Sequence, residues 1–183
     1  PSFLLNRASM QLFNISYYYL HRGKTGSHRT HYDPFFYPLD SVTDWNKLYG
    51  RNGFLQYQFV VPRERALAVI PMILREARRE GAASFLSVLK TFGSLPSPGL
   101  LSFPRPGITL AMDIRMQGAK TLDTLDRFDE IVLAYGGRIY PAKDARMSAK
   151  TFHTCYPELK RFIPHIDPAF SSQFWRRVTE QEI

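Results

Sequence analysis

From Phe54 to Val61 the side chains sort onto two faces. Leu55, Tyr57, Phe59 and Val61 form a wholly apolar one, and Phe54, Gln56, Gln58 and Val60 form the other. A period of two is that of a β-strand, whose successive Cβ atoms point to opposite sides. Residues 63–80 change to a helical period, with Leu67, Ile70 and Leu74 as the predicted inward positions. Arg75, Arg78 and Arg79 gather towards its end, where cations suit the helix dipole, and Pro71 predicts a kink or a break. "SFLSVLKTFG" (84–93) reads as a second strand and "ITLAMDIR" (108–115) as a third, joined by a loop rich in Pro and Gly (94–107). A second helix is predicted over 119–135, with Leu122, Leu125 and Val132 inward and Gly136-Gly137 ending it. "RIYP" follows as a short fourth strand.

Strand, helix, strand, strand, helix, strand is the split βαβ order of a ferredoxin-like α+β fold. It predicts an antiparallel sheet with both helices on one face and the other face open. The flanks are less regular. Leu5, Ala8, Leu12, Ile15 and Tyr19 predict a helix over 2–20, and residues 21–34 read as a mobile basic loop. Residues 44–53 look like a short helical turn ended by Gly50. After Pro141 two short helical stretches, the second capped by Ser171 or Ser172, stand apart from the sheet pattern. The expected division is 1–34 as helix and loop, 35–140 as the main domain, and 141–183 as a tail that docks elsewhere.

Composition narrows the class. With 183 residues, 44% of them hydrophobic and 14% aromatic, the chain can bury one sizeable core. No apolar run approaches the roughly 20 residues of a membrane span, and the single Cys155 excludes an internal disulfide, so a cytoplasmic protein is expected. A net charge of +8 favours anionic partners in general. The first residues, Pro1-Ser2-Phe3, carry neither an initiator Met nor a targeting pattern, and the chain is expected to be a piece of a longer protein.

Several candidate motifs fail on their own chemistry. "GKTGS" (23–27) lacks the glycine a phosphate loop needs, since that position is Tyr18. His28, His31 and Asp33 lie in a loop with no second cluster, so no metal site is expected. His153 and Cys155 would diverge on a helix, which favours a buried thiol over a nucleophile pair.

The open face of the sheet is more informative. Gln56 and Gln58 share it on the first strand, Lys90 and Phe92 on the second, and Thr109, Ala111 and Asp113 on the third. One side of an antiparallel sheet often faces water. Two amides flanked by Phe54 and Val60 also suit a pocket wall, where each unpartnered amide would cost about 1–3 kcal/mol and so calls for a polar ligand or ordered water. The fourth strand delivers Tyr140 to the sheet edge and Lys143 just beyond it. On sequence alone, Lys143 and Asp144 read equally well as an exposed turn.

Four blocks, "FFYPLDSVTDWNKLYGRNGFLQYQFVVP", "SFLSVLKTFG", "LLSFPRPG" and "GGRIYPAKDAR", resemble in order the C-terminal half of FAD-dependent oxidases of the vanillyl-alcohol oxidase superfamily. The resemblance implies a flavoenzyme in two domains, with an N-terminal FAD-binding domain outside this chain as partner. This chain would be the substrate-binding cap, and its tail would return to that domain. The family's substrate positions fall on Gln56, Gln58, Lys90, Phe92, Tyr140 and Lys143, with Thr109 and Ala111 on the third strand where the resembled oxidase carries Asn and Cys. That departure leaves the substrate open within the sugars and polyols. The implied roles are Lys143 as the catalytic cation, and Tyr140 and Lys143 against the flavin. The fragment alone would be inactive, and its uncovered docking surface could drive homodimerisation.

Two other classes fit the composition. A non-catalytic small-ligand module needs only the open face, because fold does not imply catalysis. A basic sheet domain could also bind RNA, but "ITLAMDIR" offers no aromatic on which bases would stack, so nucleic acid is not the expected partner.

Overall fold

The computed structural model describes residues 6–179 except 28, 38–42, 83 and 85. Leu5 of the predicted first helix and His28 of the loop cluster therefore lie outside the described residues. The described residues form the predicted architecture: a four-stranded antiparallel sheet in the order β2-β3-β1-β4. Its strands are β1 (Phe54–Val61), β2 (Ser87–Phe92), β3 (Gly107–Arg115) and β4 (Arg138–Ile139). Helices α3 (Ala66–Glu80) and α4 (Ala119–Ala134) cross between them, after α1 (Arg7–His21) and α2 (Tyr32–Phe36). The tail holds α5 (Ala149–Cys155), α6 (Leu159–Phe162) and α7 (Gln173–Thr179).

The apolar face of β1 enters the core as its alternation requires. Tyr57, Phe59 and Val61 pack with Leu110, Met112 and Ile114 of β3 beneath Val69 and Ile73 of α3 and Leu125, Phe128 and Val132 of α4. The inward stripe of α3 differs from the predicted one. Ala66, Val69, Ile73 and Ala77 are buried, while Leu67 is 91% exposed and Leu74 45%. The buried positions repeat at spacings of three and four, which is one helix face, and Leu67 and Leu74 fall off it. Nor does Pro71 break the helix. It removes the bond to the carbonyl of Leu67, a residue on the exposed side.

Two glycines stop α4 and turn the chain into β4. Gly136 takes a left-handed φ of 67°, and the Gly137 N–H bonds the Val132 carbonyl at 2.7 Å. A Cβ on Gly137 would lie 2.4 Å from Val132 Cγ1 and 2.7 Å from the Val132 carbonyl oxygen. The tail then packs on the same core as the sheet. Met147, Phe152, Cys155, Tyr156, Leu159 and Val178 belong to the same buried cluster as β1 and α4, and the Ser172 hydroxyl caps α7 by accepting from the Trp175 N–H at 3.0 Å. By contrast α1, capped by Asn6, leaves Leu12, Phe13, Tyr17, Tyr18, Tyr19 and Leu20 exposed. Among the described residues no helix is long and apolar enough to cross a membrane.

Candidate functional site

Strand register decides which side chains meet on the open face. Gln56 pairs with Asp113, Gln58 with Ala111, and Val60 with Thr109, while Val88 and Lys90 of β2 lie opposite Ala111 and Thr109. The face therefore carries an amide row beside a short polar row, as the alternation predicted. The Gln58 amide donates to the Thr109 hydroxyl at 3.1 Å, and Thr109 is buried. Thr109 thus orients Gln58.

β4 supplies the remaining groups from the side. Tyr140 continues the strand by donating its N–H to the Gln58 carbonyl at 2.8 Å, and a single turn over Pro141–Lys143 then swings Lys143 back over the sheet. The Lys143 ammonium donates to Gln56 Oε1 at 2.7 Å, and Gln56 Nε2 donates to Asp113 Oδ1 at 2.8 Å. Asp113 is 2% exposed. Burial pushes its carboxyl above the ordinary range, opposed by the Gln56 amide, the Lys143 charge and the Tyr49 hydroxyl. Lys90 is exposed, at the far side of the face.

Aromatic side chains close both ends of this trough. At one end Phe103, from the loop between β2 and β3, stacks on Tyr140 at 4.5 Å and meets Phe92 edge-on at 5.8 Å. At the other, Tyr49 stacks on Phe54 at 4.4 Å, with Trp45 5.5 Å from the same ring. The loop carrying Phe103 is anchored by a reciprocal clasp. Arg138 Nη1 donates to the Ser102 carbonyl at 2.7 Å, and Arg105 donates to the carbonyl of Gly136. Burial lowers the Arg105 pKa, with the nearby Arg138 charge adding to the effect.

The polar cluster after Tyr140 divides between two tasks. Lys143 faces the trough, whereas Asp144 and Arg146 hold the fold. Asp144 accepts from the backbone N–H groups of Arg146 and Met147 and from the Arg177 guanidinium of α7. Arg146 pairs with Asp129 of α4 at 2.9 Å, and the Tyr57 hydroxyl donates to the same carboxylate at 2.9 Å. Cys155 is buried, as expected, and takes the Ile139 N–H on its sulfur at 3.4 Å; burial raises its thiol pKa. Among the described residues no three His, Cys, Asp or Glu side chains gather as a metal-binding group.

Sequence reasoning missed Phe103 and Tyr49, and placed Asp113 on the face without a task. Phe103 lies in a segment with no periodicity. Its one signal was "LLSFPRPG", a block shared with the resembled oxidases.

Comparison with known proteins bears out the resemblance. The chain is 40% identical over 163 residues, 85% of its length, to decaprenylphosphoryl-beta-D-ribose oxidase of Mycolicibacterium smegmatis, and aligns with 35% of that oxidase. It is also 35% identical over 115 residues, 60% of its length, to an uncharacterised protein from the mprA 5′ region of Streptomyces coelicolor, aligning with 31% of it. No protein-family model matches. The chain therefore spans about a third of the length of the curated relatives it matches, and its similarity is to part of an oxidase.

Proposed function

We propose that this chain is the substrate-binding part of a flavin-dependent oxidoreductase that oxidises a sugar or polyol hydroxyl to a carbonyl. The observation that carries the reading is the trough itself. One ammonium and two oriented amides converge between aromatic ends, on the sheet face opposite the core packed by α3 and α4. The 40% identity to an oxidase of a ribose derivative supports the same class of substrate.

The donor set fits FAD supplied by an N-terminal partner domain. Tyr140 offers a ring at the trough's edge, and Lys143 offers a cation beside it, which suits a planar group that gains negative charge on reduction. A flavin held there would supply the hydride acceptor for the substrate carbon. The rest falls to this chain. Gln56 and Gln58 hold neighbouring hydroxyl groups, and Lys90 meets an oxygen or a phosphate at the far side. Phe92 and Tyr140 pack against the sugar. Lys143 spends one N–H on Gln56 and directs the others at the reacting oxygen, stabilising it as its proton passes to water. The tail, 141–183, whose buried side packs on this chain's own core, meets the partner domain with its exposed side.

Substitution of Lys143 tests the assignment. In the complete protein, Lys143→Met is expected to slow reduction of the flavin by substrate at least about a hundredfold while FAD stays bound, the scale of removing one preorganised donor. Unchanged reduction kinetics would remove Lys143 from the mechanism. A complete protein that binds a sugar but holds no flavin would make the trough a binding site alone.

A further inference from the structure

An ammonium can only donate hydrogen bonds, and a carboxylate can only accept them. The Gln56 amide lies between one of each, so only one of its two orientations satisfies both neighbours: Oε1 towards Lys143 and Nε2 towards Asp113. Without the carboxylate, Lys143 alone would orient the amide, and a donor at position 113 could compete for Oε1 and invert it. Its NH2 would then face the ammonium, donor against donor, and Lys143 would have to swing away.

Asp113 is built to impose this choice. Its side chain is 2% exposed, and its backbone N–H is held by both the Leu86 carbonyl and the Ser84 hydroxyl at 3.1 Å, with Ser84 itself bonded to the Leu86 carbonyl at 2.6 Å. Burying a carboxylate is costly, and a neutral Asn would satisfy the backbone equally well. What Asn could not do is fix the polarity of Gln56, because it can donate as well as accept.

We propose that Asp113 is a positioning residue that acts through Gln56 to hold the Lys143 ammonium over the trough. The geometric claim stands on these three side chains alone; its consequence for catalysis rests on the oxidase reading above.

A pair of variants separates this role from a merely structural one. In Asp113→Asn the new amide can donate to Gln56 Oε1 and invert it, releasing Lys143. In Asp113→Asn/Gln56→Glu, the introduced carboxylate at position 56 accepts from both Asn Nδ2 and Lys143 Nζ, which restores the bridge. The first readout needs no flavin. Lys143 of the 183-residue chain is labelled with an amine-reactive ester, and the rate is followed by peptide mass spectrometry. The single variant is expected to label about tenfold faster than the parent, and the double variant at the parent rate, as loss and return of a charge-assisted hydrogen bond require. The same order is expected for flavin reduction in the complete protein, slow in the single variant and recovered in the double.

Equal labelling in parent and single variant, or a double variant that stays fast, would overturn the proposal. If Asp113→Asn does not fold, Gln56→Met removes the bridge and leaves Asp113 in place. It must raise Lys143 labelling to the same extent, and no rise overturns the proposal as well. The expected labelling pattern without any flavin reduction in the complete protein would sink the oxidase reading and leave the positioning role standing.

Discussion

The Lys143 ammonium stands 2.7 Å from Gln56 Oε1, across 87 positions of chain, and that bond ties the turn after β4 to the first strand of the sheet. It converts a loop lysine into a fixed cation over the trough. A loop residue held by the scaffold in this way is preorganised, so it spends little ordering entropy when a ligand arrives.

Ionisation of the buried carboxyl should be visible in stability. The Asp113 pKa is raised in the folded chain, chiefly by burial, so folding favours its neutral form. Its contribution to stability is therefore present below the ordinary carboxylate value and is lost as pH rises from there through the raised value. Asp113→Asn should be more stable than the parent above that window, with the difference shrinking to nothing below it. Denaturant titrations at a series of pH values measure this, and a parent that gains on the variant as pH rises would contradict the shift.

Arg146 is expected to matter for stability alone. Its side chain is 13% exposed and Asp129 is 6% exposed, so Arg146→Ala leaves a buried carboxylate with only the Tyr57 hydroxyl and costs about 3–5 kcal/mol. Urea unfolding measures the loss. A cost under 1 kcal/mol would mean that water already reaches the pair.

The two glycines after α4 should respond differently. Gly136→Ala places a Cβ in open space at a left-handed φ and should cost about 1–2 kcal/mol. Gly137→Ala drives a Cβ into Val132, including its backbone carbonyl, and should cost more, about 3 kcal/mol. Thermal melts of both variants rank them, and the reverse order would contradict the packing at Val132.

Phe103 closes the trough by stacking on Tyr140. Phe103→Leu keeps most of the buried volume, so stability should change by less than about 1.5 kcal/mol. Substrate should still bind several-fold more weakly in the complete protein, because Tyr140 loses the ring that sets its plane. A large fall in stability with unchanged binding would make Phe103 a core residue and nothing more.

Cys155 should resist alkylation in the native chain and react on unfolding. The thiol is 2% exposed, and burial raises its pKa, so thiolate is scarce at pH 8. Native labelling at the rate of a free thiol would show that α5 opens readily from the core.

Much of this was legible in the sequence where a period ran through it. In β1 one face is apolar throughout, and its period of two placed Gln56 and Gln58 together on the opposite face. The order of elements led to the observed sheet. Helix faces were harder to read. The expected stripe of α3 was Leu67, Ile70 and Leu74, whereas the buried residues are Ala66, Val69, Ile73 and Ala77, with Ile70 partly buried beside them. Phe103 and Tyr49 were hidden for another reason. Phe103 reaches the trough from irregular backbone and Tyr49 from a single short 3-10 turn, Trp45–Tyr49, where too few residues repeat for spacing to report direction. The split between Lys143 and its neighbours Asp144 and Arg146 was equally unreadable, since three polar residues in one turn are distinguished only by what lies opposite them.

The central claim is that the trough presents a sugar or polyol to a flavin. The most direct measurement is an anaerobic titration of the complete protein, purified with its bound chromophore, against a panel of sugars, sugar phosphates and polyols while the visible spectrum is recorded. A yellow protein that bleaches with one class of them, and fails to bleach when Lys143 is replaced by Met, is the predicted result. A complete protein that is colourless and cannot be reconstituted with FAD would contradict the account.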